Sequence, residues 1–368
     1  MEVVFIIFLS AAAIQLSFNI LSVVKLRFFR MKEHYLDIED KPLSVIICAH
    51  NEIDNLTKLL EKLSVQAYTE YELVVVDDRS QDGTYDYLLK LQKEWKNLKL
   101  VRIEWTPKHI NEKKYAISLG VRAATHDQLL LTDADCEPRS IYWMKTMMNQ
   151  FTDPIDFVLG FSYYREYPGF LNLFIRHETL QTAILYLTLA LSGLPYMGVG
   201  RNLGYRKSFF LDKKGFSKML KVVGGDDDLF VNRYARKDNT VPVIHPDAVI
   251  YSEPKLNFRE YVVQKMRHLS VGKKYRVKHK AILGIYTFSK LLFWLSGLAL
   301  LVLTHQLLWV VLVILAVMVM AILPFMEISK KFDVKYEYGW VWLMDFMYIS
   351  FLIIFSLSAF SSKRIKWS

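Results

Sequence analysis

The stretch "LLLTDADCEP", residues 129–138, decides how this chain is read. Three leucines lead into Asp133 and Asp135, which stand one position apart. A short apolar run closed off by polar residues has the character of a buried strand. Side chains on a strand alternate faces, so positions i and i+2 point the same way. Two carboxylates aimed together repel each other unless a cation lies near. Magnesium and manganese prefer hard oxygen ligands, and magnesium commonly takes one or two carboxylates together with substrate phosphates. An Asp-x-Asp pair at a strand's end therefore reads as a metal clamp on a diphosphate.

The sequence upstream repeats the strand pattern. "LSVIICAH" (43–50), "YELVVVDD" (71–78) and "LKLVRIEW" (98–105) are apolar runs of the same kind. Between them lie helical stretches. "NEIDNLTKLLEKLSVQ" (51–66) carries Ile53, Leu56, Leu59, Leu60 and Leu63 at helical spacing, and "GTYDYLLKLQKEW" (83–95) and "EKKYAISLGVRAA" (112–124) follow. Strands that alternate with helices imply a mostly parallel sheet covered on both faces, here one α/β domain over residues 40–275. Such sheets bind ligands at the carboxyl ends of their strands. Asn51, Glu52, Asp77, Asp78, Asp133 and Asp135 all fall there. No GxGxxG or GKT follows the first strand, which weighs against dinucleotide and P-loop chemistry. His109 and His245 lack partners at metal-ligand spacing. Cys48 and Cys136, the two cysteines, sit in strands or at strand ends and suggest no disulfide framework.

The two ends of the chain are different in kind. Residues 3–24 carry no charge and span roughly 30 Å as a helix, the thickness of a hydrocarbon core. A cleaved signal has a basic start, whereas this chain has Glu2 first and Lys25, Arg27, Arg30 and Lys32 afterwards, so residues 1–30 read as an anchor. A second apolar block, 282–361, divides into spans at 282–303, 307–326 and 338–360. Lys290 reads as a side chain snorkelling from an interfacial first turn, and Asp345 is a second charge inside a span. The basic residues after the anchor and "KKYRVKHK" (273–280) flank the middle region at both membrane junctions, which places that region in the cytoplasm. The terminal "KRIK" (363–366) then falls outside, against the rule. The net charge of +10 lies largely beside the proposed spans, which favours anionic lipid head groups over nucleic acid as its partner. "TLQTAILYLTLALSGLPYMG" (179–198) suits a helix on the membrane, a wall of a lipid-acceptor groove, or a buried core helix.

"LSVIICAHNE", "VVVDDRSQDGT", "KKYAISLG" and "LLLTDADCEP", in this order and spacing, resemble the nucleotide-sugar half of membrane-anchored family 2 glycosyltransferases of the GT-A fold. "GVGRNLGYRKSFF" (198–210) is similar to the family's mid-domain stretch beneath the acceptor. "GGDDDLFVNR" (224–233) resembles the Gly-Asp-Asp segment of hyaluronan-, chitin- and cellulose-synthase-like members, and "QKMRHLS" (264–270) their Gln-x-x-Arg-Trp element. The resemblance covers roughly residues 40–275. It implies a GT-A domain, Rossmann-like with a mostly parallel sheet, flanked by membrane helices. It also implies an inverting, metal-dependent transfer from a nucleoside-diphosphate sugar, most often a UDP-sugar, to a lipid-linked or growing saccharide acceptor. Asp78 would hydrogen-bond the base, with the backbone of Ala49 and the carboxylate of Glu52 in the same pocket. Lys113 would lie near the sugar diphosphate. Asp133 and Asp135 would hold Mg2+ or Mn2+, with Asp135 the more direct ligand. Asp227 would be the general base, with Asp226 and Asp228 as alternatives, and Gln264 and Arg267 would sit over the diphosphate and the acceptor end. The setting implied is a bacterial inner (cell) membrane with the catalytic domain in the cytoplasm.

Two positions depart from the family pattern. His50 replaces an Arg, and His268 replaces the Trp that serves as an acceptor platform in processive synthases. The second departure weighs against long-chain polymerisation. A processive polysaccharide synthase and a catalytically silent subunit of a polysaccharide export assembly stand as alternatives, and the latter would bring export-complex partners.

Overall fold

The computed structural model describes residues 1–31 and 40–361, with side chains through Phe355. Lys32 of the first basic cluster and the terminal "KRIK" lie outside the described residues. Along the chain the elements are α1 (Glu2–Phe28), β1 (Leu43–Ala49), α2 (Ile53–Ser64), β2 (Tyr71–Asp78), α3 (Thr84–Glu94), β3 (Leu98–Ile103), α4 (Glu112–Ala123) and β4 (Gln128–Asp133). Next come β5 (Cys136–Pro138), α5 (Trp143–Met148), β6 (Phe157–Leu159), β7 (Phe161–Tyr164) and α6 (Phe170–Leu191). After these follow β8 (Leu203–Arg206), α7 (Lys207–Asp212), α8 (Asp228–Tyr234), β9 (Thr240–Pro242), β10 (Val249–Ser252) and α9 (Phe258–Gly272). The chain then runs through α10 (Val277–Leu303), α11 (Leu307–Phe332) and α12 (Val341–Ser361). It forms two compact units. An α/β unit contains Arg30–Arg165 and Leu189–Lys255, and a helical unit contains Met1–Phe29, Glu166–Thr188 and the described residues from Leu256 onward.

In the α/β unit the main sheet has the strand order β3-β2-β1-β4-β8-β6-β9. β1 pairs in parallel with β2 and β4, β2 with β3, and β6 with β9, while β8 runs antiparallel between β4 and β6. A small sheet, β5-β10-β7, lies apart from it. The strands are apolar on both faces because both faces are covered. Leu43, Val45 and Ile47 of β1 join Leu56, Leu59, Leu60 and Leu63 of α2 in one core cluster. On the other face Val76 and Ile103 pack with Ala116 of α4. Gly120 permits that close approach, because a Cβ there would stand 2.8 Å from Ile46 Cγ2.

In the helical unit four helices are long and apolar enough to cross a membrane: Glu2–Phe28, Val277–Leu303, Leu307–Phe332 and Tyr338–Phe355. α10 begins before residue 282 and α11 continues past 326, since a helix carries on through charged turns once its apolar part is packed. Phe8 stacks on Phe293 with ring centroids 5.4 Å apart, and the small Ala11 and Ala12 join the same buried cluster. α6 begins well before residue 179, and its residues through Thr188 pack within this unit.

The snorkelling expected of Lys290 is not what the structure shows. Lys290 is mid-helix and only 5% exposed, and its ammonium stands 2.5 Å from Asp345 Oδ1. A buried ammonium needs a counter-charge, and Asp345 supplies it. Around the pair, Gln15 donates to the Tyr286 carbonyl (2.9 Å) and to Ser289 Oγ (2.8 Å), and Gln181 donates to Tyr286 Oη (2.8 Å).

Candidate active site

The parallel register sets Cys48 of β1 against Asp133 of β4, and Ala49 against Asp77 of β2. Parallel neighbours end on the same edge, so the loops after β1, β2 and β4 meet there. β4 stops at Asp133, and Asp135 sits in the turn that leads into β5. The pleat therefore does not place the second carboxylate, as the spacing suggested; the turn does. The two charges still act on each other: burial and then Asp133 push the Asp135 carboxyl above its ordinary range.

A cavity at this edge is lined by Cys48, Lys113, Thr132, Asp133, Asp226 and Asp227, among others. Lys113, in the first turn of α4, places its ammonium 2.9 Å from Asp133 Oδ1 and 3.8 Å from Asp226 Oδ2. Burial opposes its charge, but Asp133, Asp226 and Asp227 outweigh burial and hold Lys113 above the usual ammonium range. Asp227 caps α8. Its Oδ1 accepts from the Asp228 amide at 2.8 Å, and its Oδ2 accepts from the Gly200 amide at 2.6 Å. Burial and then Asp226 raise its carboxyl. Asp227 thus both caps a helix and lines the cavity. Asn202 fixes the turn that presents Gly200. It accepts from the Trp143 indole at 3.1 Å and donates to the carbonyls of Phe161 (2.8 Å) and Ala248 (2.7 Å).

The loops after β1 and β2 are tied into one piece. Asn51, in the left-handed region with φ 56°, donates its amide to Ser80 Oγ (2.9 Å) and accepts from the Gln81 amide (2.7 Å). Asp82 accepts from the amides of Ile53 and Thr84, each at 3.0 Å. His50 Nδ1 meets the Asp78 carbonyl. The Asp78 carboxylate is held by its neighbour Arg79 (Nε to Oδ1, 2.8 Å), which also reaches Glu112 at 2.9 Å. Glu52 accepts from Asn55 at 2.7 Å. Burial raises the Glu52 carboxyl and Asn55 lowers it, while Asp135 and Asp133 add to the rise, so all three acids share one field.

Gln264 and Arg267 are carried by α9 in the helical unit. Three cations that sequence reasoning did not single out also bear on the site. Arg79 holds Asp78. Lys114 contacts the backbone of the glycine loop. Arg201 lies with its guanidinium 4.5 Å over the Tyr164 ring; burial opposes its charge, while Tyr164, Cys136, Asp135 and Asp133 favour it. Arg201 falls inside the quoted "GVGRNLGYRKSFF", but its spacing from the acids carries no signal because their elements are distant in sequence.

Among the described residues no group of three His, Cys, Asp or Glu is arranged to hold an ion alone. Magnesium-type ions do not need one, since they complete their shell with water and phosphate oxygens. The hard oxygens of Asp133 and Asp135, with Asp135 raised by burial and then by Asp133, fit such an ion.

Residues 44–212 match the family profile described as glycosyl transferase family 2. Glycosyltransferase AglE of Haloferax volcanii is 32% identical over 106 residues, covering 28% of this chain and 33% of that protein. The dolichyl N-acetyl-alpha-D-glucosaminyl phosphate 3-beta-D-2,3-diacetamido-2,3-dideoxy-beta-D-glucuronosyltransferase of Methanococcus voltae is 32% identical over 103 residues, covering 26% and 30%. The matched stretch thus spans about a third of each curated relative's length. Among solved structures, a mannosyltransferase from Pyrobaculum calidifontis in complex with GDP-Man and Mn2+ aligns over 98% of this chain and 100% of its own, with a TM-score of 0.62 at 16% identity. That likeness is one of fold.

Proposed function

Because residues 44–212 form a glycosyl transferase family 2 domain of GT-A fold, we propose that the chain moves a sugar from a nucleoside-diphosphate donor to a lipid-linked or saccharide acceptor at a membrane. The observation that carries this reading is the cavity that Lys113, Asp133, Asp226 and Asp227 line together at the carboxyl edge of the sheet. The Methanococcus voltae relative is named for a dolichyl-linked acceptor, which supports the lipid-linked choice. The four apolar helices support a membrane setting.

Asp78, the Ala49 backbone and Glu52 take the nucleotide base. Asp133 and Asp135 are the residues that would hold Mg2+ or Mn2+, which as a Lewis acid would offset charge on the diphosphate. Lys113 adds fixed positive charge where the departing phosphate gains negative charge, an effect that counts for more in a dry site. The family resemblance would assign Gln264 and Arg267 to the diphosphate and the acceptor end. Asp227 takes the proton of the attacking hydroxyl as the new oxygen–carbon bond forms and the bond to the phosphate breaks. A carboxylate has about four lone-pair sites, and the two backbone amides that aim Asp227 leave the remainder for the acceptor. A base opposite the leaving group gives inversion, by the same logic as in inverting glycosidases. With His268 in place of a platform Trp, transfer of single sugars is favoured over processive synthesis.

The test incubates membranes containing the wild type, Asp227→Asn or Asp226→Asn with a panel of labelled nucleotide sugars, with and without a divalent-ion chelator. The expected outcome is metal-dependent incorporation by the wild type and a loss of about 10²–10⁴-fold in Asp227→Asn. Equal incorporation by wild type and Asp227→Asn removes Asp227 from its role. No incorporation of any sugar, with donor binding intact, favours the silent export subunit.

A further inference from the structure

Lys114, beside Lys113 on α4, takes no part in the chemistry above. It is 0% exposed. Its ammonium donates to the carbonyl of Val222 at 2.7 Å and to that of Gly224. These carbonyls belong to the residues just before the acidic triplet, where Gly224 and Gly225 both turn through the left-handed region, with φ 75° and 68°. Consecutive helical residues point about 100° apart. One turn of α4 therefore sends Lys113 to the carboxylates and Lys114 to the backbone that carries them. The loop is tied at its start as well, where the Asn111 amide at the N-cap of α4 donates to the Leu220 carbonyl at 2.9 Å.

A fully buried ammonium is a costly way to fill space, and an apolar side chain of similar length would pack there more cheaply. What the ammonium adds is the capacity to bind two carbonyls of a double-glycine turn that has few side chains to fix it. We propose that Lys114 is a positioning residue for sugar transfer: through the carbonyls of Val222 and Gly224 it latches the glycine turn so that Asp226 and Asp227 face Lys113 and Asp133. This inference rests on the transferase reading of the site.

The test uses the full chain with Lys114→Met and, as a milder change that retains a hydrogen-bond donor, Lys114→Gln. Two measurements are made. The first is amide hydrogen exchange, compared between the peptide covering 220–230 and the rest of the α/β unit. The second is steady-state transfer, with kcat and the donor KM determined separately. Lys114→Met is expected to speed exchange in 220–230 by about tenfold or more, with the remaining peptides little changed. It is expected to lower kcat by about 10²-fold, with donor KM within about threefold of wild type. Lys114→Gln should fall between the two on both measures. Unchanged exchange in 220–230, a rise in KM at constant kcat, or faster exchange spread evenly over the unit would each overturn the latch. If the wild type transfers no sugar while Lys114→Met still loosens 220–230 alone, the transferase reading falls and the latch stands.

Discussion

The ammonium of Lys113 lies 2.9 Å from Oδ1 of Asp133, joining the first turn of α4 to the last residue of β4. The same ammonium is 3.8 Å from Asp226, so it is the positive charge between two acids that sequence places 93 residues apart. Lys113→Met leaves those acids facing each other and, in the transfer proposed above, removes charge from beside the departing phosphate. Loss of one such group typically costs about 10²–10³-fold in rate, and that is the drop expected in initial-rate transfer assays. Lys113→Arg should recover only part of it, because a planar fork does not replace a point charge.

With Asp227 as the base proposed above, the pH dependence of transfer follows from its carboxyl. Burial and then the charge of Asp226 raise its carboxyl above the ordinary 3.8. A base works only when ionised, so kcat/KM should decline as pH falls through a midpoint above 3.8, and stay level above it until another group titrates. Asp226→Asn removes one of the charges that raises Asp227 and should move that midpoint down. A midpoint that stays fixed in Asp226→Asn would show that the group being titrated is not Asp227.

Gly200→Ala tests the aim of the same carboxylate. A Cβ on Gly200 would stand 3.0 Å from Asp227 Oδ2 and 3.2 Å from its Cβ. The carboxylate must then shift by a few tenths of an ångström. Misplacement by about 1 Å is worth roughly 10²-fold, so a loss near tenfold in kcat is expected with little change in the melting temperature. An unaltered kcat would mean that Asp227 tolerates movement and is not the base.

The parts of this architecture that were legible in the sequence are those fixed by local pattern. β1, β2 and β4 are buried on both faces, so each is written as an unbroken apolar run, and the acids at their ends stand out against it. The strands from β5 to β10 are only three or four residues long, as in Phe157–Leu159 and Thr240–Pro242, and so carry no readable period. Contacts made through backbone carbonyls leave no trace in residue types: Lys114 meets Val222 across 108 positions. The partner of Lys290 is hidden in the sequence for a related reason. A lone charge in an apolar run looks like a snorkeller until its partner, 55 residues on, is brought beside it.

Glu72 contributes to the acid stability of the sheet. Burial pushes its carboxyl up, but hydrogen bonds from Ser44, Lys99 and Thr125 outweigh burial and bring the pKa down to about 2 from an ordinary 4.5. A carboxyl depressed by folding contributes stability that is complete above 4.5 and is lost as pH falls toward 2. Glu72→Gln gives up charge-assisted bonds and should cost about 2 kcal/mol at neutral pH. Thermal melts of the two proteins should converge between pH 4.5 and 2. Parallel curves across that window would show that Glu72 is not among the acids that set it.

The last expectation concerns the helical unit. Lys290 and Asp345 are 5% and 7% exposed, and their charged atoms stand 2.5 Å apart. The Lys290 ammonium also lies 4.9 Å from the centre of the Tyr286 ring. Removing either charge strands the other inside the helix bundle. Lys290→Met alone should therefore destabilise by about 3–5 kcal/mol, read as a lowered unfolding midpoint in a denaturant titration of the solubilised chain. Removing both charges avoids the desolvation cost as well as the attraction, so Lys290→Met combined with Asp345→Leu should be the milder change. A double variant as unstable as the sum of its singles would mean that the two charges act independently, and the ion pair would then not be what joins α10 to α12 at that level.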